Sequence, residues 1–324
     1  MLMASHHRLV GRPTANPTVF KSSGRGTEDA LMQGTLDRAT FGPYRLVRRL
    51  DHELGRERWL ALHERDGTAH VVYRVETRRD GGSRRRFIEA VRGVARLYHP
   101  HLLPIQSVSF DDRGRDGGRG CIVGPFIGTP DGLVTLERLR EAKGGRLGVS
   151  EVRHALAQML SAVEYAHSRG VVHGAHDASR VLLDRSGKVQ LELYGLERAL
   201  LRADAASSAG LVREEVASIA RLGYLLLTGT RALVLPGAQN AAPSAAIGAE
   251  GAVWDAWMSR ALDPLEGFAS AGAALAALPQ IGRRRQAEDA ARERKRLQNA
   301  ARPLGLAPRT RRPVSVTTRA RLAI

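Results

Sequence analysis

Apolar residues alternate in one early stretch of the chain and recur at helical spacing in two later ones. The alternation between residues 44 and 62 predicts two β-strands. Residues 84–97 and 152–168 each gather their apolar side chains on one side, as an amphipathic helix docked on a core requires. The positions that define these elements are Leu46, Trp59 and Ala61 for the strands, Phe87, Ile88, Val91 and Val94 for the first helix, and Leu156, Met159, Leu160 and Val163 for the second.

Length and composition fit one large folded body with tails. The chain has 324 residues with 43% hydrophobic content, which is ample for a large core. The single cysteine, Cys121, excludes an internal disulfide and is expected to be a small core side chain in a reducing, cytoplasmic setting. The apolar run 222–227 is too short to span a membrane. Residues 1–42 contain no secretory signal and are predicted to be a disordered N-terminal segment.

Positive charge is concentrated at the end of the chain. The net charge is +17, and only four of the 50 basic residues are lysines, a skew that a GC-rich genome also produces. Residues 282–324 hold thirteen Lys or Arg against three Asp or Glu, which is more than half of the excess. This tail has no aromatic residues for base stacking and no apolar stripe for a membrane surface. Residues 280–324 are therefore predicted to be a basic, largely disordered tail, with a nucleic acid or another polyanion as the alternative partner.

One segment, VVHGAHDASRVLLDRSGKVQLELYG at residues 171–195, resembles the catalytic region of the eukaryotic-type serine/threonine protein kinases. It aligns without a gap on that family's V-V-H-R-D-x-K-P-x-N-x-L-L-D pattern and the strand that ends in D-F-G. The apolar frame is kept, whereas the chemical groups differ. The resemblance therefore implies the kinase fold and argues against the usual activity.

The family's reactive positions carry other residues in this chain. The substituted positions are Ala175 for the catalytic Asp, Asp177 for the Lys, Arg180 for the metal-binding Asn and Leu193 for the metal-binding Asp. Because phosphoryl transfer depends on placing charge around Mg²⁺-bound phosphates, the resemblance implies that no metal site remains. Glu192 is expected to face away from the cleft, since adjacent side chains on a strand point to opposite faces. Asp177 is either a base or a solvated turn residue.

The nucleotide cleft is expected to be vestigial. The positions of the three glycines in the family's phosphate loop are held by Asp51, Glu53 and Arg56, so a plain hairpin is predicted. Arg74 takes the place of the strand Lys, and its helix partner Glu is replaced by Ala90. Glu89 lies one position early, about 100° around the helix, so a pair with Arg74 would need a shift in register.

Other family positions keep their structural type. His173 and Gly195 are retained, and Glu215 stands where the family has an anchoring Asp that binds the backbone near residues 173–174. Gly124 is at the gate of the adenine pocket, where a small residue is expected to leave space. By resemblance, residues 214–229 form the buried helix of the large lobe, and residues 254–278 form the closing helices.

The sequence thus predicts an α+β, protein-kinase-like bilobal fold over residues 43–279. The small β-rich lobe is expected at about 43–127 and the mainly helical lobe at about 128–279. The favoured function is a catalytically inactive pseudokinase, not an enzyme, that acts as a binding, scaffolding or regulatory module for protein partners. No cofactor is expected, and Mg²⁺-ATP binding is doubted.

Two alternatives stay open at this point. The first is an atypical active serine/threonine kinase that uses Arg74 and Asp177. The second is a nucleic-acid-associated protein that acts through its basic tail. Transfer from Mg²⁺-ATP to a generic substrate would favour the former, and salt-sensitive retention on polyanions would favour the latter.

Overall fold

The structure is a computed structural model. It describes residues 7–8, 40–53, 56–77, 82–111, 118–129, 131–201, 208–233, 240–263 and 265–280. Most of the predicted N-terminal segment 1–42 lies outside these ranges. The predicted tail, residues 280–324, lies outside them beyond Gln280.

Eleven strands are assigned within the described part of the chain. They are β1 His7–Arg8, β2 Thr40–Phe41, β3 Tyr44–Glu53, β4 Arg56–His63, β5 Ala69–Glu76, β6 Ser107–Asp111, β7 Arg119–Pro125, β8 Gly128–Thr129, β9 Gly132–Leu133, β10 Val181–Leu183 and β11 Val189–Leu191. Seven of them form one antiparallel sheet in the order β1-β6-β7-β5-β4-β3-β2. The pairs β10–β11 and β8–β9 are separate two-stranded sheets.

The predicted strand pair at residues 44–62 is the hairpin β3–β4. Its register shifts between Leu46 and Arg48 and again between Arg49 and Asp51. Asp51 pairs with Arg58 and Glu53 with Arg56, so the strands run together almost to the turn. The glycine-poor sequence therefore keeps the two strands paired at residues where a phosphate loop would separate from the sheet.

Two short strands fall within the N-terminal segment 1–42, and the prediction for the rest of that segment lies outside the described residues. His7–Arg8 pairs with Ser107–Val108 of β6, and Thr40–Phe41 pairs with the start of β3. Both lie at the outer edges of the large sheet. An edge strand presents unpaired N–H and C=O groups, which a short extended segment can satisfy.

Eight α-helices are assigned in the same described ranges. They are α1 Ser83–Val94, α2 Leu136–Ala142, α3 Val149–His167, α4 Leu196–Leu201, α5 Ser208–Thr228, α6 Pro243–Ile247, α7 Ala252–Leu262 and α8 Ala271–Ala276. The predicted helices 84–97, 152–168 and 214–229 are α1, α3 and α5. The predicted closing pair at 254–278 is α7 and α8.

Helix boundaries follow local chemistry. At the start of α3, the Glu151 carboxylate accepts a hydrogen bond from Gly148 N–H at 2.8 Å, which satisfies one donor that has no partner inside the helix. Thr135 accepts from Arg138 N–H at the start of α2, and Ser270 accepts from Ala273 N–H at the start of α8. Gly170, with φ of 72°, lies just after the end of α3.

The buried side chains form a sheet-side core, a helical core and a third, small cluster of Ala61, Val72 and Val123. In the sheet-side core, Phe87, Val91 and Val94 of α1 pack with Val71 and Tyr73 of β5. The helical core is centred on α3, α5 and α7, with Met159, Leu160, Leu226, Trp254 and Met258 among its members. Cys121 is buried on β7. In the described part of the chain, no helix combines the length and apolar character needed to cross a membrane.

Candidate functional site: the cleft between the sheet and the helices

Three chain segments meet where the sheet-side core faces the helical core. They are β4 with β5, the loop 171–180, and the turn after β11 that leads into α4. The loop follows α3 without regular secondary structure and closes in a single 3₁₀ turn at Ala178–Arg180. Several contacts of the side chains in this loop were not predicted from the sequence.

The buried centre of this site is a charged cluster of Arg58, Glu192 and Tyr73. Arg58 Nη1 donates to Glu192 Oε2 at 2.7 Å and to the carbonyl oxygen of Ser179 at 3.3 Å. The Tyr73 hydroxyl donates to Glu192 Oε1 at 2.5 Å. Burial, and then the charge of Glu192, raises the pKa of Tyr73 well above its usual value, so the phenol remains protonated and is a hydrogen-bond donor.

The expectation that Glu192 faces away from the cleft is wrong. Strand β11 ends at Leu191, one residue earlier, so strand alternation no longer governs where Glu192 points. The next residue, Leu193, has φ of 44° and lies in a turn. As a result Glu192 points at the large sheet, and Leu193 packs with α1 in the sheet-side core.

Arg74 does not point toward the helix as the resemblance implied. On β5, Val71, Tyr73 and Val75 are the residues that pack against α1. Arg74 therefore projects from the other face, where Nη1 donates to Glu57 Oε2 at 3.3 Å. Burying the aromatic ring and leaving the guanidinium partly exposed is the favourable arrangement for this strand.

Glu89, which would need a shift in register to meet Arg74, is engaged elsewhere. Glu89 accepts a hydrogen bond from Arg85 at 2.8 Å on the surface of α1. Ala90 is buried in the same cluster as Tyr73. Tyr73, and not Arg74, therefore faces α1 and the cleft, and its hydroxyl binds Glu192.

A second, more exposed ion cluster lies at the rim of the cleft. Arg56 Nη2 and Arg180 Nη1 approach the same oxygen of Glu197, Oε2, at 3.4 and 3.3 Å. Glu197 is in the first turn of α4. Arg180, predicted at the metal-binding position, is therefore in contact with a carboxylate, and it joins the loop to β4 and α4.

Asp177 has a local structural contact. Its carboxylate accepts a hydrogen bond from Ser179 N–H at 2.8 Å and starts the 3₁₀ turn. Burial alone would raise the pKa of Asp177, but the hydrogen bonds from Ser179 outweigh it and lower the pKa below its ordinary value. Ala175, two residues earlier, is exposed.

The neighbours of Gly124 leave little room for a larger residue. A Cβ atom added to Gly124 would lie 3.3 Å from the Pro104 carbonyl oxygen and 3.4 Å from Leu103 Cδ2. The segment before β6 thus packs closely on β7 at this position. Leu103 also lines a small apolar pocket behind α1, together with Val94 and Leu193.

Glu215 of α5 is a buried acceptor for five donors around the loop. Its Oε2 accepts from His173 N–H at 2.8 Å, Gly174 N–H at 3.3 Å and His167 Nε2 at 3.1 Å. Its Oε1 accepts from His176 Nε2 at 2.9 Å and from the Tyr194 hydroxyl at 2.7 Å. The two backbone donors are those that the sequence argument assigned to this residue.

Electrostatics favour the ionised form of Glu215. Burial would raise the pKa of Glu215, but the hydrogen bonds from His167, His176 and Tyr194 outweigh it and hold the pKa far below its usual range. Because a carboxylate only accepts, each histidine must present Nε2–H to it. Burial, and then Glu215, raises the pKa of Tyr194 well above its usual value.

His173 and Gly195 belong to the same assembly. The His173 ring stacks on Tyr194 with centroids 5.2 Å apart, and its Nδ1 accepts from Gly195 N–H at 3.0 Å. Burial, and then His176, lowers the pKa of His173 to about 3, so the ring stays neutral. Gly195 has φ of 75°, and a Cβ there would lie 2.5 Å from Val171 Cγ1, so the position requires glycine.

Several residues of this site were not found by sequence reasoning. They are Arg58, Tyr73, Glu197, His167 and His176. The sequence could have indicated Arg58, because it alternates with Leu60 and Leu62 on β4 and shares their inward face. An arginine on an inward face indicates a buried partner. Asp51 and Glu53 were also predicted to belong to the cleft. For these two residues the structure describes the strand pairing and not the side chains.

The chain is similar to known protein kinases in sequence and in fold. No protein-family model matches it. It is 29% identical over 147 residues to the serine/threonine-protein kinase PknF of Mycobacterium tuberculosis, which is 45% of this chain and 29% of that protein. It is 30% identical over 146 residues to PknI of Mycobacterium bovis, 44% of this chain and 24% of that protein. To CBL-interacting protein kinase 4 of rice it is 29% identical over 159 residues, 48% of this chain and 33% of that protein.

Solved structures give the fold. A crystal structure of the Mycobacterium tuberculosis PknI kinase domain matches with a TM-score of 0.58 and 23% identity, over 79% of this chain and all of that domain. The chain spans at most a third of the length of the curated relatives named above. The resemblance to protein kinases and the α+β kinase-like fold are confirmed. The expectation that the chain is not an enzyme is contradicted, because the relatives are named as serine/threonine-protein kinases.

Proposed function

Starting from a chain with the fold of the protein kinase superfamily, we propose that it acts as a regulatory binding module whose cleft is held shut by its own side chains. The observation that carries this proposal is the buried Arg58–Glu192–Tyr73 cluster. It joins two strands of the large sheet to the turn before α4. In this closed state the module presents a fixed surface to a protein partner.

In the described conformation, the closed cleft presents few oxygen ligands to Mg²⁺-ATP. Phosphate-bound Mg²⁺ is held by carboxylate or amide oxygens. Glu192 already binds Arg58 and Tyr73, and Glu197 binds two guanidinium groups. Leu193 is buried against α1. We therefore propose that this state does not take up Mg²⁺-ATP unless the buried cluster opens first.

Thermal unfolding of the full chain tests this proposal. We expect the midpoint to be the same with ATP and Mg²⁺, with ATP and EDTA, and with Mg²⁺ alone. A shift that requires ATP and Mg²⁺ together would contradict the closed state. Arg58→Met with Glu192→Met removes both buried charges at similar volume, so a shift seen in this variant alone would identify the cluster as the element that keeps nucleotide out.

Phosphotransfer is the second candidate, and the names of the relatives favour it. The available groups are Arg74 as a cation and Asp177 as a base. Arg74 contacts Glu57, and Asp177 binds Ser179 N–H, so both would have to rearrange. The test is transfer of labelled phosphate from ATP to a generic substrate. Transfer that is lost in Asp177→Asn and kept in Asp184→Asn would favour phosphotransfer over the regulatory binding module.

Association with nucleic acid through residues 282–324 stays a prediction, because those residues lie outside the described ranges. It rests on the charge of the tail alone. Retention on a polyanion column that falls steeply with salt, and that is lost on truncation after Leu278, would support it. Equal retention of the full and truncated chains would exclude the tail as the binding element.

A further inference from the structure

Residues 97–103 connect the sheet-side core to the helical core. Leu103 is buried in the sheet-side core, and the residue before it is buried in the helical core. Leu191 N–H donates to the His101 carbonyl oxygen and Leu103 N–H donates to the Leu191 carbonyl oxygen, both at 2.9 Å. Glu192, the carboxylate of the buried cluster, directly follows Leu191 on the chain. The segment that binds the end of β11 therefore also helps to place Glu192.

His99 attaches this segment to α3. Its Nε2 is 3.3 Å from Ser161 Oγ, and its ring stacks on Tyr165 with centroids 5.3 Å apart. Within the segment, its Nδ1 accepts a hydrogen bond from His101 N–H at 3.2 Å. A neutral imidazole has one donor nitrogen and one acceptor nitrogen. Because Nδ1 is the acceptor, the proton lies on Nε2 and is donated to Ser161.

Protonation of His99 is incompatible with these contacts. An imidazolium ring has two donors and no acceptor, so a proton on Nδ1 would face the His101 N–H and break that hydrogen bond. Turning the ring over would exchange nitrogen for carbon at both positions and lose the contact to Ser161 as well. His101 differs from His99, because its Nδ1 donates to the Val189 carbonyl oxygen at 3.0 Å. A second proton on its Nε2 leaves that bond intact.

The surroundings of His99 also disfavour a positive charge. Burial, and then the charges of His101 and Lys188, lowers the pKa of His99 below its usual value. The Arg169 guanidinium lies 5.1 Å from the centroid of the Tyr165 ring, so a further positive charge flanks the stacked pair. The folded protein therefore holds His99 in its neutral form.

The groups around His101 complete the electrostatics of the segment. Burial lowers the pKa of His101, whereas the hydrogen bond to Val189 raises it. The charges of Lys188 and His154 also lower this pKa, and Asp184 raises it. Asp184 thus favours a charge on His101, where a second proton leaves the bond to Val189 in place.

We propose that His99 is a pH switch: the neutral ring holds residues 97–103 on α3, and protonation releases this segment and loosens β11 next to Glu192. This inference rests on the proposed function, and it adds a condition that opens the closed cleft. At neutral pH the segment is attached and Glu192 stays with Arg58 and Tyr73. At acid pH the released segment no longer supports β11, and the buried cluster loses its support from that side.

Hydrogen exchange of single amides in the full chain tests the switch, with protection factors compared at pH 7.5 and pH 5.5. The Leu103 and Leu191 amides report release of the segment, and the amide of Leu160, which is buried in α3, reports global unfolding. The released segment binds a proton at the ordinary histidine pKa of 6.5, which the attached segment disfavours. Opening therefore becomes up to about 10-fold more frequent at pH 5.5. We expect the protection of Leu103 and Leu191 to fall by this factor and to stay below that of Leu160.

Three variants separate the switch from a general effect of charge. In His99→Asn, the side-chain oxygen replaces Nδ1 as the acceptor for His101 N–H and does not titrate, so the fall in protection should disappear. His99→Leu has no acceptor, so the two amides should exchange faster at both pH values. His154→Asn removes a titrating ring that acts on His101 through its charge, and it should keep the full pH response. If the leucine variant fails to fold, the two asparagine variants still decide the question.

Three results would overturn the proposal. They are protection of Leu103 and Leu191 that does not change between the two pH values, a pH response that persists in His99→Asn, and a response that is lost in His154→Asn. Protection equal to that of Leu160 at pH 5.5 would also overturn it, because only global unfolding would then expose these amides. The experiment contains no nucleotide, so the His99 switch and the closed cleft can fail separately.

Discussion

Glu215 binds three residues of the loop 171–180, namely His173, Gly174 and His176. It is fully buried and accepts from two backbone N–H groups, two histidines and a tyrosine. A buried carboxylate is stabilised by its hydrogen-bond donors. The donors are buried as well, so water cannot take the place of the carboxylate as their acceptor. The loop therefore keeps its shape whether or not any reaction takes place beside it.

Replacing Glu215 with alanine should cost about 3 kcal/mol or more in the free energy of unfolding, because buried donors are left without an acceptor. The neighbouring Glu214→Ala should cost less than about 1 kcal/mol, since Glu214 is exposed and holds only a surface pair with Arg221. Urea denaturation of the two variants measures the difference. Equal midpoints would remove the anchoring role of Glu215.

His173 should make stability depend on pH. Its pKa is lowered to about 3 in the folded protein from a reference of 6.5, so the folded state favours the neutral ring. The unfolded chain binds more protons between these two values, and stability is complete above 6.5 and is lost as pH falls below it. Between pH 6.5 and 5 the loss amounts to about 2 kcal/mol.

His173→Asn provides the comparison for this pH effect. Asparagine places an oxygen near the position of Nδ1, where it can accept from Gly195 N–H, and it does not titrate. The variant should lose less stability than the parent chain between pH 7 and pH 5, by urea denaturation. Burial also lowers the pKa values of His70, His99 and His101, so the slope should decrease without vanishing. Identical slopes would contradict the assignment to His173.

At the scale of elements, helices were predicted better than the contacts between distant segments. The apolar spacing around Phe87 and Val91 predicted α1 within a few residues, because local periodicity and burial agree there. The anchoring by Glu215 was also found, through its place at the start of a buried helix. Arg58 and Glu192 are 134 residues apart, so no local window relates them.

The error at β5 has a similar cause. Alignment on a motif placed Arg74 in the cleft, whereas the face of a strand is decided by which residues the core takes up. Tyr73 fits between Val71 and Val75 against α1, and the arginine is left outside. Reading the alternation of β5 together with that of β4 would have placed Arg58 and Tyr73 on one face.

The Arg58–Glu192 contact should couple β4 to the turn after β11 energetically. Glu192→Met and Arg58→Met should each destabilise by about 3 to 5 kcal/mol, because each removes one partner of a buried, charged hydrogen bond. The double variant should cost much less than the sum, since no buried charge remains. A double-mutant cycle by denaturation measures this coupling, and additive losses would show that the pair does not hold the two segments together.

At the scale of the whole molecule, the last described residues are tied to the helical core. Arg153 of α3 donates to the Pro279 carbonyl oxygen at 2.7 Å and to Gln280 Oε1 at 3.1 Å. Leu278 is buried in the helical core. These contacts hold the chain to the core as far as Gln280, and the end of the kinase-like domain near residue 279 stays a prediction.

Residues 282–324 should be removed by limited proteolysis while a fragment close to residues 43–279 survives. The tail has charged residues on every face of any helix it could form and lacks an apolar stripe, so it has little to bury against a core. Digestion with trypsin at low enzyme ratio, followed by mass spectrometry, gives the fragment boundaries. Because arginine occurs throughout the chain, survival of the core depends on its fold and not on a lack of cleavage sites. Slow amide hydrogen exchange across Arg283 to Arg302 in the isolated protein would contradict this prediction.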